Sequence, residues 1–130
     1  QILGKKNYKI NINLGFDPSQ LSVFKNINIT YFSFIIGRVE DFGDNNVEKI
    51  PAVKEMIKKL NNKIQFLAAS IRNERQLIAA AINGADVITV PPKTWEKVYN
   101  NKYTLDGEKS FMDSWNELPI EKRKKYEIKK

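Results

Sequence analysis

The sequence predicts an α/β fold in which parallel β/α units form about half of a TIM-type (β/α)8 barrel, followed by C-terminal helices. Three observations predict it. Four strand-like segments alternate with helical ones, the pattern of a parallel sheet joined by right-handed crossovers. A complete eight-unit barrel takes about 250 residues, so 130 residues supply roughly four units. The first strand keeps one polar face, which suits a barrel lumen near its C-terminal mouth. An open doubly wound sheet is the alternative that alternation alone also allows.

Residues 8–14, "YKININL", alternate without a break, placing Tyr8, Ile10, Ile12 and Leu14 on one face and Lys9, Asn11 and Asn13 on the other. In the following "DPSQ", Asp17 can cap a helix, Pro18 suits its first position, and Gln20 stands three residues after the cap as in a capping box. A short helix is expected over about 18–25. The β-branched and aromatic run "ITYFSFII" (29–36) reads as a buried strand, and "GRVEDFGDNN" (37–46) as a loop. From Val47, the spacing of Val47, Ile50, Val53, Ile57 and Leu60 gives one apolar helical face, with Pro51 confined to the first turn.

The third strand is "IQFLAA" (64–69). Asn73 then caps a helix, with Gln76 three residues on, and its apolar Leu77, Ile78, Ala81 and Ile82 precede Gly84 as a stop signal. The fourth strand, "DVITV" (86–90), ends against Pro91 and Pro92. Further helices are expected around 95–99 and over about 104–118, where Phe111, Trp115 and Leu118 share a face and Trp95 and Trp115 serve as core anchors. No repeat or linker splits the chain, so residues 1–118 form one half-barrel domain and 119–130 a basic tail.

Composition removes several chemistries. With no cysteine and no histidine there is no disulfide framework, Cys/His zinc site, His-based triad or imidazole base, and neither a metal nor a cofactor is expected. The longest apolar stretches, such as residues 34–36, fall far short of the roughly 18 a membrane helix needs. No signal peptide marks the start, and a soluble, cytoplasmic protein is expected. The chain opens on Gln1 rather than Met, as a piece cut from something longer would. Of the net charge of +7, residues 121–130, "EKRKKYEIKK", contribute +4, leaving +3 for the rest. That concentration reads as a solvated C-terminal helix or frayed end; without interleaved aromatics or a nucleic-acid module, nucleic acid is not an expected partner.

Two stretches, "FSFIIGR" (32–38) and "AASIRN" (68–73), run apolar strands directly into an arginine. Arg38 and Arg72 thus each follow a strand's C-terminal end, where ligand sites form in barrels and in open parallel sheets. Counting by two sets Ser33 with Tyr31 and Ile35, and Ser70 with Ala68 and Phe66; Ser70 and Arg72 share parity if the strand persists. A planar guanidinium offers paired donors to an anionic oxygen, a hydroxyl adds another, and a helix starting near Asn73 points free N–H groups to the same place. Ser33, Arg38, Ser70 and Arg72 therefore read as a phosphate clamp. Ion pairs of the arginines with Glu40, Asp41 or Glu74, with Ser70 as a turn former, are the competing reading. Lys9 lies at the beginning of its strand and carries little weight as a nucleophile.

The segments "FSFIIGRVEDFG" (32–43), "LAASIRNERQLIAAAINGADVITVPPK" (67–93) and "YTLDGEKSFMDSW" (103–115) closely resemble the C-terminal half of the transaldolase and fructose-6-phosphate aldolase family. That family's pattern is approximately "SPFVGR", "AASIRN", "AGAD" with "PPK", and "LTDKGIEKFLADW", here in the same order. The resemblance makes "YKININLGF" the fifth barrel strand, so the four strands correspond to barrel strands 5 to 8. It implies Schiff-base chemistry by a lysine and transfer of a dihydroxyacetone unit between sugar phosphates, within the pentose phosphate pathway. It sets Ser33, Arg38, Ser70 and Arg72 at the substrate's phosphate end and Asn11 near the Schiff base.

The resemblance also implies departures. Asn13, a candidate catalytic position, stands where the family has a threonine that helps hold a water, and Ile35 where an aromatic ring is usual. The Schiff-base lysine, the first-strand aspartate and the third-strand acidic residue would all precede Gln1. By this reading the chain alone is inactive. It is the second half of a transaldolase-like enzyme whose other half supplies the lysine, or a non-catalytic, degenerate module that binds sugar phosphate or serves as an interaction subunit. A half-barrel exposes strand edges near Tyr8 and Asp86, so self-association or a partner chain completing the barrel is expected.

Overall fold

A computed structural model describes residues 8–60 and 63–126 of the chain. The first seven residues, Asn61, Asn62 and the last four residues of the basic tail lie outside the described residues. The described residues divide into two compact units, with the boundary between Trp95 and Glu96.

In the first unit, strands β1 (Asn11–Gly15), β2 (Tyr31–Ile35), β3 (Gln65–Ala69) and β4 (Val87–Ile88) form one sheet in that spatial order. All three pairings are parallel. A sequential order means every crossover steps the same way; with one crossover hand, the connecting helices collect on one face of the sheet. A doubly wound sheet needs a reversal of strand order, and these four strands have none.

That helix-bearing face holds the core. Phe32, Phe34, Phe66 and Ala68 point into it and meet Leu21, Val53, Ile57, Ala79 and Ala80 from the connecting segments. Phe34 and Phe66, on adjacent strands, pack edge to face with ring centroids 6.5 Å apart. The opposite face carries Asn11, Tyr31, Ser33, Ile35, Gln65 and Leu67 by alternation and register. Among these only Ser33 and Ile35 are buried.

The connections follow local chemistry closely. Asp17 accepts from the Ser19 amide and the Gln20 carboxamide accepts from the Asp17 amide, so the capping box forms. The helix it starts, Pro18–Phe24, is a 3-10 helix. α1 (Ile50–Leu60) has Pro51 in its first turn and buries Ile50, Val53 and Ile57 as its spacing predicts, preceded by a 3-10 turn at Val47–Lys49. α2 (Glu74–Ile82) is capped by the Asn73 side chain, which accepts from the Gln76 amide, and is followed by Gly84 in a left-handed conformation.

Several expectations are corrected. α2 buries Gln76, Ala79 and Ala80, while Ile78 and Ile82 are exposed, so its inward face is rotated from the one its large apolar residues suggest. Alanines let this helix lie close against the sheet. The alternation in the first strand fails at its end: Leu14 adopts φ 63° and is exposed, as is Tyr8. The segment read as a loop holds one short 3-10 turn, Arg38–Phe42, closed by Gly43 at φ 77°. Trp95 is 40% exposed rather than a core anchor.

At the other end of the strands, Asp86 ties the base of β4 to α1. Lys54 Nζ lies 2.8 Å from both its oxygens, and the Phe66 amide donates to it at 2.8 Å. Burial pushes the Asp86 pKa up, but the Lys54 and Phe66 hydrogen bonds and the Lys54 charge together outweigh it, leaving the carboxyl below its ordinary value. A lowered folded-state pKa contributes stability above the unfolded-state value and loses it as pH falls through the folded one. Asp86→Asn is therefore expected to cost about 1 kcal/mol at neutral pH, a cost that shrinks as acidification passes through the carboxyl's lowered pKa, read from urea melts at neutral and acid pH.

The second unit is helical. α3 (Pro92–Tyr99) spans the boundary between the units, with Thr94 buried and its hydroxyl donating to the Ile71 carbonyl at 3.2 Å. α4 (Lys102–Glu117) is capped by Asn101, and α5 (Ile120–Arg123) begins the basic tail. Phe111 on α4 is exposed; Trp115 is half-buried and meets Tyr126 edge to face at 6.4 Å.

Candidate functional site

The C-terminal ends of β2 and β3 run on together past their last strand residues. The Ile36 amide donates to Ala69 and the Gly37 amide to Ser70, both at 2.9 Å. This pairing brings Arg38 and the start of α2 to one rim. Among the described residues the only non-glycines with positive φ are Leu14 at 63° and Ser70 at 61°, both at the C-terminal ends of strands. Such a conformation costs on the order of 1 kcal/mol or more, and ligand sites are where it concentrates. At Ser70 it ends the strand and turns the chain toward α2, so Ser70 and Arg72 do not continue an alternating strand.

Arg72 leaves this turn across the face of Gly37. A Cβ built on Gly37 would stand 2.3 Å from the Ser70 carbonyl oxygen, 2.8 Å from Gln76 Oε1 and 2.9 Å from Arg72 Cγ. Only glycine leaves room for that stem. Gln76 is fully buried and accepts the Arg72 amide at 2.8 Å, one residue earlier than a capping box would have it. Its Nε2 has no partner among the described residues.

The Arg72 guanidinium meets Asp41 through Nη1, and Arg75 Nη2 lies 3.2 Å from Glu40. The two pairs strap the 38–42 turn to the first turn of α2. The ion-pair reading thus holds for Arg72 with Asp41, while Glu40 takes Arg75 rather than Arg38. The pairing is exposed on both sides and uses one of the five N–H donors of Arg72. Arg38, also exposed, has no hydrogen bond or ion pair within 4.0 Å among the described residues. Its charge nonetheless reaches Asp41: the Arg72 hydrogen bond is the largest influence lowering the Asp41 pKa, and the charges of Arg72 and then Arg38 act with it against desolvation. Asp41 thus meets the Arg72 guanidinium directly and belongs to the same Arg38–Phe42 turn as the other arginine.

Ser33 and Asn11 form a separate pair. The Ser33 hydroxyl, 2% exposed, donates to Asn11 Oδ1 at 2.9 Å across the β1–β2 pairing. Ser33 lies opposite Leu67 in the register, roughly 10 Å below Ile36 at the strand rise of about 3.3 Å per residue. No hydrogen bond joins it to Arg38, Ser70 or Arg72. Ile35, on the same face, is buried. Asn13 accepts the Leu14 amide at 2.8 Å and lines a cavity of about 340 Å³ with Ile12, Gln20, Phe24 and Phe32, so no contact draws it to the Asn11–Ser33 pair.

Two residues of this region escaped the sequence reading. Asn46, fully buried, donates through Nδ2 to the carbonyls of Phe16 at 2.9 Å and Ile35 at 2.8 Å, tying the ends of β1 and β2. Its doublet with Asn45 looks like ordinary turn chemistry. Gln76 was visible only as a cap partner. Among the described residues no cluster of three or more acidic side chains could hold a metal ion, and no helix is long and apolar enough to cross a membrane.

Comparisons with known proteins agree on one family. The chain is 34% identical over 107 residues to a probable transaldolase of Caulobacter vibrioides, covering 82% of this chain and 49% of that protein. It is 31% identical over 116 residues to one from Oceanobacillus iheyensis and 33% over 116 to one from Lysinibacillus sphaericus, each covering 89% of this chain and 54% of the relative. The chain spans about half the length of these curated relatives. The family model for transaldolase/fructose-6-phosphate aldolase matches residues 1–130, and on these grounds the chain belongs to the transaldolase/fructose-6-phosphate aldolase family.

Proposed function

We propose that this chain is the sugar-phosphate-holding half of a transaldolase-like (β/α)8 barrel, its four strands corresponding to strands 5 to 8. Joined to a half that carries the Schiff-base lysine, it transfers a dihydroxyacetone unit between sugar phosphates. The observation that carries this reading is the placement of Arg72, and of the Arg38–Phe42 turn that Asp41 joins to it, at the C-terminal rim of a sequentially ordered parallel sheet. In this reading Arg38, Arg72 and Ser70 take the phosphate, while Ser33, the fourth residue the sequence assigns to the clamp, is held apart from them by its bond to Asn11. The Asn11–Ser33 pair, deeper on the open face, meets the carbonyl end, and Asn13 does less than the threonine it replaces. No cofactor is needed, because a lysine amine supplies the electrophile by condensing with the ketose carbonyl. The edges at β1 and β4 favour a partner chain or a second copy that continues the sheet.

A non-catalytic sugar-phosphate-binding module is the second reading, favoured by Ile35 and Asn13 at the reacting end. Borohydride reduction separates the two. With fructose 6-phosphate and a polypeptide supplying the preceding half, the enzyme reading expects a covalent ketose adduct in the mass spectrum. Absence of an adduct, with phosphate-dependent thermal stabilisation retained, gives the non-catalytic reading.

A further inference from the structure

We infer that Asp41 is a positioning residue for the anion site, holding both Arg38 and Arg72 in the geometry that grips a phosphate group. This rests on the phosphate-clamp reading above and assigns a role to a residue outside the clamp. Asp41 touches Arg72 directly through Nη1, which turns the guanidinium and leaves its remaining donors for a ligand. It also belongs to the Arg38–Phe42 turn, so the same contact fixes the turn that carries Arg38. The Glu40–Arg75 pair, one residue earlier on the turn and three later on the helix side, makes the strap two-pointed. Gly37 and Gly43 bound this turn; among the described residues the Gly37 amide's bond to Ser70 anchors its start, and beyond the turn's own backbone bonds the two straps hold the rest.

The opposite role is physically possible for an acid in this place. A carboxylate paired with Arg72 cancels part of its charge and can compete with a phosphate for it. Which effect wins is decided by two terms of similar size. Ordering a rotamer-rich arginine ahead of binding spares the ligand a cost equivalent to about two- to tenfold in affinity. The competing repulsion is weakened by exposure, since Arg72 and Asp41 are 42% and 51% exposed at their side chains. Positioning is therefore expected to prevail, and the hydrogen-bonding geometry of Asp41, more than its charge, is what the site uses.

Isothermal titration of the full chain with inorganic phosphate tests this with three variants. Asp41→Ala is expected to weaken phosphate binding by about three- to tenfold. Asp41→Asn keeps an acceptor oxygen in the same place and is expected to restore affinity to within about twofold of wild type. Melting temperatures report that both variants remain folded. Tighter binding in both makes Asp41 a competitor and overturns the inference, as does Asp41→Ala binding like wild type. Arg72→Ala separates the two levels: if it loses phosphate binding while Asp41→Ala does not, only the positioning role fails. If the wild-type chain takes up no phosphate, or Arg72→Ala takes it up normally, the clamp fails and the positioning role with it.

Discussion

Arg72→Ala is expected to reduce the affinity for a phosphate monoester by about ten- to a hundredfold while shifting the melting temperature by no more than about 2 °C. The two halves of that expectation come from different contacts. Arg72 reaches the rim of the sheet as an exposed side chain, and its one ion pair, to Asp41, is exposed as well, so its loss takes little from the folded state. The anion, by contrast, loses a fork of charge-assisted donors for which a lysine would be a poor substitute. Equilibrium binding of glucose 6-phosphate or fructose 6-phosphate by titration calorimetry, beside a thermal melt, reads both. Arg38→Ala should show the same split with a comparable loss, because Arg38 is exposed on the turn that follows β2 at the same rim. Undiminished binding in either variant removes the proposed clamp.

The β/α alternation, the Asp17 capping box, the Asn73 cap and the inward face of α1 could all be read from residue spacing because each is a local property. Strand order could not be. It follows from how crossovers stack, and the resemblance to a barrel family carried that expectation further than periodicity did. The face of α2 was misread because the sheet selects close approach over apolar size: Ala79 and Ala80 turn inward with a buried glutamine, and Ile78 and Ile82 are left outside. Within the candidate site, parity placed Ser33 on the open face with Tyr31 and Ile35. It failed for Ser70, where a left-handed residue breaks the strand. Asn11 with Ser33, and Arg72 with Asp41, are pairings across 22 and 31 residues of chain, beyond the reach of any spacing rule.

Gly37→Ala is expected to be the most damaging small change in the rim, costing about 3 kcal/mol and lowering the melting temperature by about 10 °C. Its backbone is in an ordinary right-handed conformation, φ −83°, so the cost does not come from torsional strain. It comes from space. The added methyl would sit 2.3 Å from the Ser70 carbonyl oxygen, the very atom that accepts the Gly37 amide at 2.9 Å, so relieving the clash means separating the ends of β2 and β3. The same shift moves Arg72, whose Cγ would be 2.9 Å from the methyl, and should weaken phosphate binding along with stability. Gly43→Ala provides the contrast. There φ is 77° and nothing lies within 4 Å of an added Cβ, so the expected cost is about 1 kcal/mol of backbone strain. Chemical denaturation of both variants distinguishes crowding from strain: if Gly37→Ala costs no more than Gly43→Ala, the strand ends are not packed as tightly as the rim geometry requires, and the route by which Arg72 reaches its place is wrong.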